Sequence, residues 1–198
     1  MLQEAHLRLD RCPHCGIARP NLHRRSTLDT KASNNSNWRL WVLYSCVSCG
    51  GCTLTVSPYG GDTRLRPIVE MWPEPEQVDE AVPLRARQFL QQAISSLQAP
   101  AGATMLAASS VDAMLKEIGL VNGSLYKRID EAQQQNRITA EMAAWAHEVR
   151  LDANDQRHAD EEAELPDEAD ARRSIAFVQA LAQFLFVLPS RVERGRRQ

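Results

Sequence analysis

Four cysteines near the start of the sequence have the spacing of a metal site. They form two Cys-x-x-Cys pairs, Cys12 with Cys15 and Cys46 with Cys49, and a glycine follows each pair. The turn inside such a pair directs two thiolates to one point, and the glycine lets the backbone curl so that amides face the sulfurs. Two such turns predict a tetrahedral site with four sulfur ligands, which suits structural Zn²⁺.

Other interpretations of the cysteines fit the spacing less well. A redox Cys-x-x-Cys would need only one pair, in a thioredoxin-like fold, and disulfides are disfavoured in the cytosol. Cys52, the fifth cysteine, is close enough to compete as a ligand, but its position favours a strand residue. His14 and His23 are expected to be loop residues rather than ligands.

A second group of polar residues that could do chemistry lies on a predicted helix. Arg150, Asn154 and His158 are four residues apart, so a cation, an amide and an imidazole form one row. The row borders an apolar stripe, made of Met142, Trp145, Ala146, Val149 and Ala153. Such a row could bind a ligand or a partner. Alternatively, Asn154 and His158 cap the helix and Arg150 pairs with an acid.

The same residues carry a family resemblance. Arg150-Leu-Asp-Ala-Asn154 with His158, reached through Trp145-Ala-His-Glu-Val, resembles the signature of the domain-of-unknown-function 4145 family. The Trp72-Pro73 and Val82-Pro83 steps are also similar, so the resemblance covers nearly the whole chain. It implies an HEPN-like helical bundle, a fold of many bacterial RNases, toxins and defence proteins.

The catalytic HEPN pattern is only partly matched. Asn154 and His158 occupy two of its positions, but Ala153 stands where the pattern has an arginine. Arg150 lies one turn too early, and Arg157 lies beside the histidine. We therefore expect a protein without RNase activity. Family members often carry Arg and Glu three residues apart in the second helix, where this chain has Ser109 and Asp112.

Length and composition indicate a soluble protein of one or two small domains. The chain has 198 residues, of which 43% are hydrophobic and 24% charged. The sequence shows no apolar run of the roughly 20 residues that a membrane span requires and no apolar signal core at Met1–Arg8, so we expect a cytoplasmic protein. Residues 1–70 carry nine Lys/Arg and five Asp/Glu, and residues 71–190 carry ten Lys/Arg and nineteen Asp/Glu. Residues 191–198 carry four Lys/Arg and one Asp/Glu. A polyanion could therefore contact the basic ends but would not wrap around the acidic middle.

The pattern predicts an α+β multidomain protein, in which a small antiparallel zinc ribbon precedes an all-α bundle of about five helices, and the resemblance implies that this bundle is HEPN-like. Alternation over 38–45 predicts a strand, 53–57 its partner, and 65–71 a third strand. Residues 21–37 are polar and are expected to form an exposed insertion. The expected domains are 1–71 for the ribbon, 72–83 for a Pro and acid linker, 84–190 for the bundle and 191–198 for a basic, frayed tail.

Basic and aromatic residues of the ribbon could bind nucleic acid, since cations contact phosphates and rings stack on bases. The candidates are Arg24, Arg25, Lys31, Arg39 and Trp41, with Trp38 beside them. The alternative, slightly favoured, is that the aromatic rings cover the metal site and the charges are solvated.

The expected helices run over about 83–97, 101–118, 124–135, 139–158 and 169–188, and the acidic segment 160–170 is expected to be a solvated loop. The last helix is apolar on more than one side, so it is either central to the bundle or shared with a second subunit. HEPN-like domains commonly pair through helices, so the resemblance implies a homodimer. Three functions remain open. The first is a non-enzymatic adaptor that binds RNA, DNA or a protein, for instance in stress or phage defence. The second is a metal-independent RNase that uses His158 and Asn154, and the third is a structural homodimerisation module.

Overall fold

The structure of the protein, a computed structural model, describes residues 1–58, 66–74, 77–158 and 164–197, and only the backbone of residues 155–158. The chain divides into two compact units, Met1–Glu76 and Gln77–Gln198. Each unit has its own hydrophobic core.

The first unit is a five-stranded antiparallel sheet in which the strands follow one another in chain order. The strands are β1 (His6–Leu7), β2 (Leu22–Thr30), β3 (Arg39–Cys46), β4 (Cys52–Pro58) and β5 (Glu70–Trp72). The predicted strand pair β3 and β4 is confirmed, with Trp41 opposite Val56. The third predicted strand is limited to β5, because residues 66–69 form no strand beyond an isolated bridge between Pro67 and Leu2, and Leu65 lies outside the described residues.

Alternation along β3 explains the core of this unit. Leu40, Val42 and Tyr44 are buried on one side of the sheet and pack with Leu7 and Leu22, whereas the alternate residues, beginning with Arg39, lie on the other side. The Tyr44 hydroxyl donates a hydrogen bond to the carbonyl of Glu4 at 2.9 Å, so the buried phenol is satisfied.

The prediction of an exposed insertion over 21–37 is wrong, because most of this segment is strand β2. Its backbone pairs with β3 along the whole strand, with a register shift between Arg24 and Ser26. From Arg24 onward its side chains are exposed on both sides. A strand solvated on both sides lacks the alternating apolar signal by which strands are recognised in a sequence. The loop is shorter than expected and includes Asn35 and Asn37 at positive φ.

The second unit is helical. Its helices are α1 (Leu84–Ser95), α2 (Pro100–Glu117), α3 (Leu125–Gln134), α4 (Ala140–His158) and α5 (Glu168–Ala182), which continues through a π-helical turn (Gln183–Val187) into α6 (Leu188–Arg196). Helices α3 and α4 each begin with a side-chain cap. Ser124 accepts from the amide of Lys127 at 3.4 Å, and Thr139 accepts from the amide of Met142 at 3.2 Å.

Helix α2 lies at the centre of this unit and packs against α1, α4 and α5. Its buried side is made of small residues, including Ala103, Ala107 and Ala108, which allow neighbouring helices to approach closely. The hydroxyl of Ser110 donates to the carbonyl of Ala86 on α1 at 2.8 Å. The small residues of α2 therefore explain its close packing at the centre of the unit.

The end of the unit differs from the expected frayed tail, since α6 continues as helix to Arg196. The stretch Glu168–Arg196 is long and apolar enough to cross a membrane by length and composition, with a mean hydropathy of 1.6 in its most apolar window. This is weak evidence, because the core helix of a soluble protein can pass the same test. A third of that window, 33%, is buried inside the protein.

Candidate functional site

The four predicted cysteines lie in two turns with the same backbone pattern, one between β1 and β2 and the other between β3 and β4. In the first turn the amide of Gly16 donates to the carbonyl of Cys12 at 2.9 Å, and in the second the amide of Gly50 donates to the carbonyl of Cys46 at 2.8 Å. Both glycines have positive φ, 68° and 75°, which side-chain-bearing residues rarely adopt. The glycine after each pair is therefore required by the turn.

The turns bring the four thiols together. The sulfur atoms of Cys12, Cys15, Cys46 and Cys49 all lie within 4.8 Å of one another, and those of Cys12 and Cys49 are 3.9 Å apart. The amides of His14 and Gly51 point at the sulfurs of Cys12 and Cys49 at 3.5 and 3.4 Å. Amides directed at sulfur stabilise thiolates, so the cluster could hold a metal ion.

The proton affinities of these thiols also fit a metal site. Burial acts to raise the pKa of Cys46, but backbone amides of Cys49 and Ser48 and neighbouring thiols lower it to about 7. The Ile17 amide acts to lower the pKa of Cys15, but burial and the thiols of Cys49 and Cys12 raise it to about 12. Burial raises the pKa of Cys12. Four adjacent thiolates repel one another, and a divalent cation would remove that repulsion.

Cys52 is outside the cluster, at the exposed start of β4, as the sequence predicts. His14 lies in the first turn and is no member of the cluster, and its Nε2 is 2.7 Å from the carbonyl oxygen of Cys52. The prediction that His23 is a loop residue is wrong, because His23 lies in β2. The centre of its ring is 4.3 Å from that of His6.

The helical unit contains a groove of about 830 Å³. It is lined by Arg85 and Phe89 of α1, by Ala108, Ser109, Asp112, Ala113, Lys116 and Glu117 of α2, by Ser124, Leu125, Tyr126 and Arg128 at α3, and by Arg150, Ala153 and Asn154 of α4. Two members of the predicted row, Arg150 and Asn154, therefore share a groove with Ser109 and Asp112. The side chains of Arg157 and His158 lie outside the described residues.

The floor of the groove includes a buried ion pair. Arg128 donates through Nε to Oδ1 of Asp112 at 3.0 Å and also through Nη2, and its Nη1 contacts the carbonyl of Gly123. Lys116 approaches the other oxygen of Asp112 at 2.5 Å. The Arg128 side chain is only 8% exposed, and Asp112 compensates its charge. Its role in the groove is therefore structural.

Arg150 is placed differently from Arg128. Its guanidinium carbon lies 5.3 Å from the centre of the Tyr126 ring, and its buried Nε has no hydrogen-bond partner among the described residues. The centre of the His147 ring lies 4.7 Å from that of the Tyr126 ring, and Nε2 of His147 bonds Asp130 at 2.9 Å. Arg150 thus lines the groove, and the alternative in which it pairs with an acid finds no such contact among the described residues.

Positive charge exceeds negative charge along this groove. Four cations, Arg85, Lys116, Arg128 and Arg150, line it with two carboxylates, Asp112 and Glu117. By contrast, residues 71–190 as a whole carry ten cations and nineteen acids. The groove is therefore a local basic site on an acidic unit, which favours an anion there.

The nucleic-acid candidates of the ribbon are divided between several places. Arg25 donates to the Ser45 hydroxyl at 2.6 Å, and Lys31 lies 4.7 Å from the centre of the Trp38 ring. Trp41 stacks on Trp72 with ring centres 5.8 Å apart. Arg39 shares the Trp41 side of β3, whereas Arg24 pairs with Tyr44 on the core side. The sheet thus brings Arg25, Arg39 and Trp41 to one side, and the candidates Arg24 and Lys31 do not lie with them.

Sequence reasoning missed Tyr126, Arg128 and His147. Tyr126 and Arg128 lie on the short helix α3, whose amphipathic pattern indicates a helix but not the groove beside it. Arg128 falls in a buried position of that pattern, next to Ile129 and one turn before Ala132. A buried arginine requires a carboxylate partner. An arginine at a buried position of the helical pattern was therefore the signal that could have predicted this ion pair.

Comparison with known proteins adds one finding. A family model described as "Domain of unknown function (DUF4145)" matches residues 91–198, which include the end of α1 and all the later helices. No curated protein and no solved structure matches the chain.

Proposed function

Because the chain belongs to the DUF4145 family, whose domain includes the α2, α3 and α4 residues of the groove, we propose that this groove is the recognition site of a non-enzymatic binding protein. In this proposal the cysteine cluster holds Zn²⁺ and stabilises the first unit. The ligand of the groove is an anion, and we propose a single-stranded segment of RNA or DNA.

One observation carries this proposal, namely the arrangement of Arg150 on Tyr126. The Nε of Arg150 is buried without a partner in the described part of the groove, and a buried donor without a partner costs about 1 to 3 kcal/mol. Because Nε itself is closed to solvent, a phosphate would contact Arg150 on the side that lines the groove, and Tyr126 is half exposed beside it, where a base could stack. The excess of cations favours such a ligand over a neutral one.

The alternative function is that of an RNase. It is supported by Arg150 and Asn154, because both residues line the groove. Metal-independent cleavage needs a proton shuttle near neutral pH and a cation for the pentacovalent phosphate. His158 could supply the shuttle. Ala153 lines the groove where the catalytic pattern has arginine, and its methyl group supplies no charge. Removal of one such charge-stabilising donor costs about a hundredfold or more in rate, so we propose binding without cleavage.

Fluorescence anisotropy with a short labelled single-stranded RNA tests the binding function. Arg150→Gln should weaken binding about tenfold, because a hydrogen bond to a charged group contributes about 1.5 to 3 kcal/mol. Arg137→Gln is the matched control, since it removes the same charge from an exposed residue of the same unit that does not line the groove. Equal losses in the two variants, or no RNA or DNA binding by the wild type, would overturn the proposal.

A cleavage assay in EDTA separates binding from catalysis. The wild type and His158→Ala are compared on the same RNA, and metal content is measured after chelation so that loss of ribbon metal is recognised. We expect no cleavage above background. Wild-type cleavage that His158→Ala abolishes would replace the binding function with an RNase, and Arg150 and Arg157 would be the next residues to substitute.

The ribbon supplies a possible second contact with the same nucleic acid. Arg39 lies with the stacked pair Trp41 and Trp72 on one side of the sheet. If this side contributes, Trp41→Ala should weaken RNA binding by several fold, since base stacking on an aromatic ring contributes about 1 to 3 kcal/mol. Unchanged affinity would restrict recognition to the groove of the helical unit.

A further inference from the structure

Helix α6 exposes an apolar row that nothing in the described chain covers. None of its residues is buried, and its principal contact is the π-helical turn that it continues. Phe184, Leu188 and Val192 are four residues apart and exposed at 43%, 45% and 58%. They therefore form one line along the helix surface.

The π-helical turn has a cause in the sequence. Pro189 has no amide hydrogen, and in a regular α-helix its ring would collide with the carbonyl four residues earlier. The wider turn at Gln183–Val187 precedes it, and the amide of Leu188 bonds the carbonyl of Gln183 instead. The chain thus remains helical past the proline, and the apolar row continues onto α6.

An apolar groove of about 310 Å³ lies where this row begins. It is formed by Met142 and Trp145 of α4, Phe177 and Ala180 of α5, and Gln183, Phe184 and Leu188. Gln183 is the one polar residue among them. Trp145 lies 5.1 Å from Phe177 between ring centres and is 40% exposed, so the groove is open to an apolar side chain from outside.

The charges beside the two features are opposite. Arg191 and Arg196 flank the apolar row on α6, whereas Glu141 and Glu148 lie within one turn of Trp145 on α4. Arg173, one turn before Phe177 on α5, is paired with Asp170, so its charge is compensated. A second copy of this chain carries both features, so one contact made twice about a two-fold axis would cover both rows. An anionic lipid surface would attract α6 but would be repelled by the acids at the groove.

We propose that the protein forms a homodimer in which α6 of each copy lies in the α4–α5 groove of the other. Leu188 and Val192 of one copy contact Trp145 and Phe184 of its partner. Arg191 of α6 faces Glu148 across the interface. This interface lies on residues other than those of the basic groove, so dimerisation does not depend on the proposed nucleic-acid binding.

Light scattering and sedimentation of the full chain at micromolar concentration test this proposal. The wild type should have twice the mass of the chain, and Val192→Asp should raise the dimer dissociation constant about tenfold or more, because it buries an unpaired charge. Val121→Asp is the matched control, since Val121 is 61% exposed, similar to Val192, and lies away from α6. It should leave the dimer unchanged.

Charge reversal provides a second test that does not depend on apolar burial. Arg191→Glu should weaken the dimer, and Glu148→Arg in the same chain should restore it. A monomeric wild type would overturn the proposal, and binding of that monomer to anionic vesicles would assign α6 to a membrane surface instead. Equal dissociation by Val192→Asp and Val121→Asp, or no rescue by the double reversal, would also overturn this interface.

Discussion

The imidazole of His14 lies directly over Gly51, so that the first cysteine turn contacts the second. A Cβ atom on residue 51 would lie 2.4 Å from Cγ of His14 and 2.6 Å from its Cδ2. The same ring bonds the carbonyl of Cys52 through Nε2 at 2.7 Å. The two halves of the metal site are therefore held together by packing as well as by the thiols.

This contact predicts that Gly51→Ala weakens the ribbon. The new methyl group would displace His14 or the second turn, and overpacking of this kind costs about 1 to 3 kcal/mol. Thermal unfolding of the zinc-loaded protein and competition with a chelator measure the effect. Gly102→Ala is the control, because nothing lies within 4 Å of a Cβ there, and it should stabilise α2 slightly. If adding His14→Ala to the Gly51→Ala variant does not restore its stability, a contact other than that with His14 causes the loss.

The ligand set predicts one bound zinc ion for each chain. Serine at position 12, 15, 46 or 49 should abolish stoichiometric zinc in metal analysis, whereas Cys52→Ser should retain it, because the Cys52 sulfur is outside the cluster. Binding of a structural zinc ion contributes about 10 to 16 kcal/mol in small domains. Chelation should therefore unfold residues 1–70 and leave the helical signal in circular dichroism largely intact. Full zinc in Cys46→Ser with loss in Cys52→Ser would contradict this set.

The cysteine cluster and the strands β3 and β4 could be predicted because their signals are local. A Cys-x-x-Cys pair with its glycine specifies a turn, and Leu40, Val42 and Tyr44 reveal the buried side of a strand. The pairing of β2 and the Asp112–Arg128 contact were not predictable in this way. Both depend on partners distant in sequence, and a solvated strand or a single arginine carries no periodic signal of its own.

Two ion pairs of the helical unit, Arg128–Asp112 and Arg172–Glu168, predict very different responses to substitution. Arg128→Ala should destabilise the unit by about 3 kcal/mol, because it removes the buried partner of Asp112 and leaves the carbonyls of Asn122 and Gly123 without a donor. Arg172→Ala is the control, since Arg172 and Glu168 are both about half exposed, and it should cost less than about 1 kcal/mol. Chemical denaturation monitored by circular dichroism compares them. Similar losses would show that the Arg128 pair is not effectively buried.

The acidic segment before α5 was expected to be a solvated loop, but its last part forms a cap. The Asp167 side chain accepts from the Asp170 amide at 2.9 Å, and the Asp170 side chain accepts from the Asp167 amide at 2.8 Å. Residues 159–163 lie outside the described chain. Asp167→Ala should therefore destabilise the helical unit by about 1 kcal/mol, which is the usual cost of losing such a cap.

The cap also predicts how stability depends on pH. The Asp167 amide and the Arg173 guanidinium lower the pKa of Asp170 below its ordinary value of 3.8. A carboxylate whose pKa is lower in the folded state contributes its stabilisation above the unfolded pKa and loses it as the pH falls through the folded pKa. Asp170→Asn should thus destabilise the protein at neutral pH and reduce the fall in stability below about pH 4. Glu164→Gln, at an exposed residue before the cap, should leave that part of the profile unchanged, and identical acid profiles for Asp170→Asn and wild type would show that the cap does not titrate.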